Sequence, residues 1–424
     1  MIREFLARTF YHPTLKQLGP GLITGAADDD PSGIATYSQA GAQFGLGMLW
    51  TVVFTFPLMV GIQMVSARIG RVTGEGLAAN IRRLYPRPLL LFIVGLLLTA
   101  NTINIAADLA AMGEALQLVT GGGEHGHALV FGMACLLLQV FMPYERYVRV
   151  LKWLTLTLLA YVVVVFTVHV PWVKVIRHSV LPGVSLDADS FAVIVAVFGT
   201  TISPYLFFWQ ASQECEEMRA DPNGAALRES REDARRHLER IKTDTYIGMG
   251  FSNLIAFFII LSAALTLNVA GVTEIRTASD AAQALRPIAG DFAFLMFSLG
   301  IIGTGMLAVP VLAGSAAYAA AEAFGWRQGL DRKWFEAKEF YGIIALATIG
   351  GAALDFTPVD PFKALLWSAM LNGVIAVPIM VVMMLMVARR DVMGPFVVTR
   401  RLKILGWVST AVMAAAVAAM FATM

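Results

Sequence analysis

The chain has 424 residues, of which 57% are hydrophobic and only 15% charged, with a formal net charge of +2 and a mean hydropathy of +0.68. Soluble domains carry about 25% charged residues, so the composition excludes an ordinary water-soluble fold and points to an all-α, polytopic membrane protein. The small net charge says little about partners; where the charges sit says more.

In chain order, apolar stretches near the roughly 20 residues of a bilayer span fall at 18–40, 46–67, 88–118, 128–143, 150–170, 189–213, 244–270, 290–324, 340–355, 362–388 and 404–423. The charged N-terminal stretch leads directly into the first span, so no removable signal peptide is expected. The third and eighth spans are long enough to tilt or protrude. Two spans are interrupted. The first reads Thr24-Gly25-Ala26-Ala27-Asp28-Asp29-Asp30-Pro31-Ser32-Gly33, the sixth Phe198-Gly199-Thr200-Thr201-Ile202-Ser203-Pro204-Tyr205. Proline removes a backbone donor and clashes one turn back, so both helices should unwind there. Unwound backbone at membrane depth is tolerated only where protein or a polar cavity encloses it. Matched broken spans in two halves are the sequence sign of a transporter's substrate site.

Basic residues set the orientation. Of the 32, 27 fall on one side, including Arg3, Arg8, Lys16, Arg82, Arg83, Arg146, Arg149, Lys152, Arg231 and Arg240. Lys174, Arg177, Arg276, Arg286 and Lys363 fall on the other. The expectation is an inner (plasma) membrane protein with a cytoplasmic N-terminus and an external C-terminus. Pro31 and Pro204 lie 173 residues apart. An odd number of spans between them requires units of opposite orientation. The reading is one transporter domain over 1–424: a five-helix repeat at 18–170, an inverted one at 189–388, and an added helix at 404–423.

The loop from Glu214 to Lys242 reads as a solvated, mixed-charge helical insertion. The outer Gly121–His127 segment reads as a flexible turn rather than a metal trap. Cys135 and Cys215 are expected to pack as apolar residues without a disulfide.

Ionisable residues at membrane depth cost about 2.5–3.5 kcal/mol each on insertion scales and are functional candidates. Asp30, directly before Pro31, is the candidate for direct cation coordination. Asp28 and Asp29 point elsewhere, since successive helical residues lie about 100° apart, and are candidates for an outer shell. The second break supplies oxygens from Thr200, Thr201, Ser203, Tyr205 and freed carbonyls. Such a hard-oxygen set suits Mg²⁺, Ca²⁺ or Mn²⁺ rather than zinc or copper. Asn101, Asn104 and Asp108 share one face of the third span; interhelical hydrogen bonding accounts for the asparagines, with Asp108 the functional member. Asn372, before Gly373 in the tenth span, is an outer-shell candidate.

Gly19-Pro20 through Asp30-Pro31-Ser32-Gly33, together with Thr200-Thr201-Ile202-Ser203-Pro204-Tyr205, resembles the Nramp family of divalent metal transporters. That resemblance implies the LeuT-type fold of the APC superfamily, a transported divalent metal and no cofactor. In the family an Asp-Pro-Gly-Asn motif and a Met-Pro-His motif serve the metal. Carried onto this chain, the metal residues are Asp30, Gly33 at the Asn position, Ser203 at the Met position, Thr200 at the carbonyl donor and Tyr205 at the His. Losing the thioether removes the soft ligand that favours transition metals, and smaller side chains leave room for an ion that keeps waters, as Mg²⁺ does. The pattern looks like the Nramp-related magnesium transporter branch. On the family's proton route Asp108 is retained, but Ala111 replaces a Glu and Gln210 a second His. Glu114, one turn further, is a weaker substitute. The expectation is therefore a carrier of partly hydrated Mg²⁺, and of Mn²⁺, that is not proton-coupled. A proton-coupled Mn²⁺/Fe²⁺ carrier and a small-solute or amine carrier on the same fold are the alternatives. A channel lacks a filter-like repeated loop, and no enzyme motif is present. The lipid bilayer and the transported ion are the expected partners; nucleic acid and an obligatory protein partner are not expected.

Overall fold

An interior helical residue needs its amide hydrogen, which proline lacks, whereas the first residue of a helix does not. Accordingly one helix ends and another begins at both Pro31 and Pro204. The computed structural model describes residues 20–121, 123–142, 155–183, 187–221, 224–230, 234–356 and 360–424. The first span is α1 (Pro20–Asp28) and α2 (Pro31–Phe44). A tight turn at Gly45, whose φ of 55° suits glycine, leads through a 3-10 turn into α3 (Leu49–Thr73). Then come α4 (Leu77–Leu84), α5 (Arg87–Thr120), α6 (Glu124–Phe141), α7 (Leu159–Thr167) and α8 (Trp172–Val180). The sixth span is α9 (Ala188–Thr201) and α10 (Pro204–Ala220). The remaining long helices are α11 (Ala234–Ala263), α12 (Ala293–Phe324), α13 (Lys338–Leu354), α14 (Pro361–Val387) and α15 (Arg400–Thr423).

Among the described residues each of the eleven expected spans overlaps a helix, residues 18–19 of the first lying outside them. By length and composition, seven helical stretches among the described residues are able to cross a membrane. The start of the fifth span lies outside the described residues, as do Arg3, Arg8, Lys16, Arg146, Arg149, Lys152, Arg231 and Gly122. Helix α5 is central and packs on α12, α14, α6 and α13, while α1 and α2 lie along α11.

Two features depart from the sequence reading. The charged insertion is helical at both ends, as read, with α10 running to Ala220 and α11 starting at Ala234, but its first residue is not solvated. Glu214 is fully buried there, and Arg240 joins it and Glu217 at 2.6 Å each. The outer segment is also more ordered than a free turn: His125 Nδ1 lies 3.0 Å from Asp355 Oδ2, and its ring stacks on Phe356. Cys135 and Cys215 are buried and free, as expected.

Helix α4 has no side-chain cap of its own. Glu322 of α12 supplies one, accepting from the backbone N–H groups of Ala78 at 3.0 Å and Ala79 at 3.2 Å. It also accepts from Ser212 of α10 and from Gln328. A Cβ on Gly76 would fall 1.9 Å from this carboxylate, so a side chain there would push Glu322 off these donors.

Candidate cation site

Asp30 is the N-cap of α2. Its backbone is extended (φ −72°, ψ 169°), and Oδ1 accepts from the Gly33 N–H at 2.6 Å, satisfying a donor that a helix start leaves open. Its other oxygen reaches out of the break. Asn104 of α5 donates to Oδ2 at 3.1 Å, and the Tyr205 hydroxyl of α10 lies 3.4 Å from it. Tyr205 is closer to the Ala27 carbonyl, at 3.0 Å, near the end of α1. Asp30 is 1% exposed, and the donors in these hydrogen bonds are neutral.

The neighbouring carboxylates turn the other way: the helix ends at Asp28, and the extended backbone at Asp30 points its side chain away from the other two. The Ser252 hydroxyl of α11 donates to Asp28 Oδ2 at 2.5 Å and lies 3.0 Å from Asp29 Oδ1. Asp244, two turns earlier on α11, accepts from the Gly21 N–H at 2.7 Å. Between these ties the helices touch backbone to backbone: a Cβ on Gly25 would lie 2.3 Å from the carbonyl of Gly248. Sequence reasoning missed Ser252 and Asp244. A signal was present, since Asp244, Gly248 and Ser252 recur every four residues, matching Gly21, Gly25 and the Asp28–Asp29 pair.

The second break closes on itself. Ser203 caps α10, and its hydroxyl folds back on two carbonyls at the end of α9, Gly199 at 2.9 Å and Thr200 at 2.6 Å. Thr201 donates to the Val197 carbonyl and bonds the Tyr37 hydroxyl of α2 at 3.0 Å. Thr200 Oγ1 is buried without a hydrogen-bond partner. The breaks meet at Gly33, where a Cβ would stand 3.2 Å from Thr200 Oγ1 and 3.4 Å from Asp30 Oδ1. The space expected there from the small side chain is thus occupied by the close approach of α9.

The structure therefore brings together Asp30, Gly33, Thr200, Ser203 and Tyr205. Asp108 lies one turn beyond Asn104 on α5, fully buried and within reach of the charge on Asp30. Asn372 is buried on α14, next to Gly373, where that helix crosses α9 closely at Gly199. Both asparagines read as interhelical bonds make them: Asn101 donates to Leu312 O and Ser315 of α12, and Asn104 donates to Asp30 at the start of α2. Glu114 accepts from the Ala278 N–H at 2.8 Å and so braces the loop beyond α11. Gln210 bonds Gln63 at 2.5 Å and Thr245 at 3.3 Å, tying α10 to α3 and α11.

A family profile described as natural resistance-associated macrophage protein-like, Nramp, matches residues 21–423. A divalent metal cation transporter MntH of Deinococcus radiodurans is 27% identical over 401 residues, covering 92% of this chain and 86% of that protein. An MntH of Klebsiella pneumoniae is 26% identical over 412 residues, covering 94% and 92%. The fold is similar to a manganese transporter of Eremococcus coleocola, crystallised with an aromatic bis-isothiourea compound. That likeness has a TM-score of 0.74 at 16% identity, over 97% of this chain and 88% of the other. Mhp1, a nucleobase-cation-symport-1 family transporter, gives 0.53 at 14% identity, over 96% and 92%.

Proposed function

This chain belongs to the Nramp family of membrane transporters, and from that premise we propose that it carries divalent metal cations by alternating access, with Mg²⁺ as its main substrate and Mn²⁺ as a second. The observation that carries the reading is the state of Asp30: a buried carboxylate at membrane depth, held by three neutral donors. Burying a charge in the membrane is costly unless something offsets it, and neutral donors orient a carboxylate without neutralising it. A cation supplies the missing charge. The C-terminal ends of α1 and α9 both lie at the breaks, and the negative end of a helix dipole favours a cation. Gly33, Thr200, Ser203 and Tyr205 contribute backbone or hard oxygen and no thioether, which supports Mg²⁺ and Mn²⁺ over softer metals. Asp28, Asp29 and Asn372 belong to the surroundings of this site rather than to direct coordination.

Two repeats of opposite orientation, at 18–170 and 189–388, rock against each other in this reading, with the N-terminus cytoplasmic and the C-terminus outside. An inside-negative potential favours divalent entry by about 4.6 kcal/mol per 100 mV, twice the single-charge value, so uptake needs no proton. Direct Mg²⁺ flux into proteoliposomes tests the proposal. Saturable uptake by the wild type and its loss in Asp30→Asn are expected; unchanged saturable uptake in the variant ends the reading.

One observation favours a second reading. Asp108 keeps a carboxylate beside Asp30, and the relatives are named as divalent metal and manganese transporters. A proton-coupled Mn²⁺ or Fe²⁺ carrier would use that carboxylate to take up the proton.

A further inference from the structure

The face of α5 toward Asp30 presents oxygens that the reading above leaves unused. Asn104 spends its amide on Asp30, but its own Oδ1 is buried and has no hydrogen-bond partner. One turn on, both carboxylate oxygens of Asp108 are buried and unpartnered, although the Ser32 backbone faces the group. Thr200 Oγ1 adds another such oxygen from the second break. Buried polar atoms without partners are rare and call for an explanation. Anchoring α5 is not that explanation, because Asn101 already bonds α12. The oxygen of Asn101 is unpartnered too, but its amide is engaged with α12, not with Asp30.

Each of these orphans has lone pairs that can accept a hydrogen bond. The amide oxygen of Asn104 only accepts hydrogen bonds, and the Asp108 carboxyl keeps lone pairs that accept in either protonation state. Water bound to a metal ion turns its lone pairs inward and presents only hydrogens outward. A wall of acceptors next to the cation's carboxylate is the complement of that shell. We infer that Asn104, with Asp108 beside it, holds the water shell of the cation at Asp30. Asn104 is a positioning and specificity residue: its amide nitrogen orients Asp30, and its oxygen receives a metal-bound water. The inference rests on the reading of Asp30 as the cation's carboxylate. It predicts an effect graded by hydration, since Mg²⁺ gives up its waters reluctantly and Mn²⁺ exchanges them readily.

Initial rates of Mg²⁺ and Mn²⁺ uptake are measured in proteoliposomes containing the wild type, Asn104→Leu, Asn104→Gln and Asp30→Asn. Asn104→Leu should raise KM for Mg²⁺ about tenfold, equivalent to about 1.4 kcal/mol. The KM for Mn²⁺ should rise by less than about threefold, below 0.7 kcal/mol on the same scale. Asn104→Gln retains both amide atoms and should recover most of the Mg²⁺ affinity. Equal shifts for both ions, or none for either, overturn the inference. If the Leu variant does not fold, Asn104→Ser is read by the same two outcomes. Asp30→Asn separates the failures. Normal transport in that variant means the carboxylate reading itself is wrong. Loss of transport there, with equal ion shifts at Asn104, removes only the water wall.

Discussion

The two breaks arise from the same device, a proline at the first position of a new helix, yet they are held in opposite ways. The break at Asp28–Gly33 is braced from outside: Ser252 of α11, Asn104 of α5 and Tyr205 of α10 all reach into it. The break at Thr200–Ser203 satisfies much of its opened backbone within itself, through Ser203 on Gly199 and Thr200. The difference follows from charge. The carboxylates at the first break take donors from other helices in addition to the Gly33 N–H that Asp30 caps, whereas the freed carbonyls of the second need only one hydroxyl nearby. The charged break is thus wired to several neighbouring helices, whereas the neutral one relies mostly on its own residues, with one outside tie from Tyr37 of α2 to Thr201.

The largest expected effect comes from removing the charge that makes the first break different. Asp30→Ala should abolish saturable divalent uptake and cost about 1 kcal/mol of stability through the lost cap. Asp30→Asn should abolish uptake with less thermal destabilisation. Flux assays and melting curves on the pair check both. Wild-type uptake by either variant would move the role to Asp28 or Asp29.

A smaller effect is expected from making the second break more like its soft-ligand relatives. Ser203→Met with Gly33→Asn should improve Mn²⁺ or Cd²⁺ against Mg²⁺ by about tenfold in KM ratio, about 1.4 kcal/mol. The side chain at residue 33 must displace Thr200 to fit, given the 3.2 Å approach, so total rates should fall as selectivity turns. Competition uptake with the ions together is the measurement. An unchanged preference places selectivity elsewhere.

The bracing itself is tested by single hydroxyl deletions. Ser252→Ala removes the shared donor of two buried carboxylates and should cost about 2–3 kcal/mol, as bonds to charged groups do. Ser203→Ala removes a neutral donor and should cost about 1 kcal/mol. Equal losses in thermal unfolding would mean that the two breaks are held alike after all.

The smallest expected effect is none. With Mg²⁺ outside, the potential clamped by an ionophore and a pH dye trapped inside, no protein-dependent acidification should appear. Acidification that saturates with Mg²⁺ would assign Asp108 a proton and favour the proton-coupled reading.

Much of this was legible before any coordinates. Both helix breaks, the burial of Asp30 and the nearness of Thr200, Ser203 and Tyr205 follow from where proline, carboxylates and apolar runs fall. What was not legible depends on rotation and crossing. Asn101 and Asn104 look alike in sequence, yet one bonds α12 and the other Asp30, because three residues turn a helix by about 300° and leave the two side chains some 60° apart. Glu214 reads as a solvated charge because its partner Arg240 lies 26 residues away, across the insertion. Ser252 carries no charge to mark it; only its four-residue rhythm with Gly248 and Asp244 sets it beside α1.

That rhythm has a mechanical consequence. Where Gly25 meets Gly248 there is no side chain between the backbones to yield or slide. Ties at Gly21 and at Asp28–Asp29 pin the seam on either side. Helix α1 and the neighbouring part of α11 are therefore joined along this seam as one stiff pair. The first turns of α11 carry Arg240, clamped to Glu214 and Glu217 on α10. Through these contacts the helix before the first break is joined to the helix that follows the second, by ties that do not include Asp30.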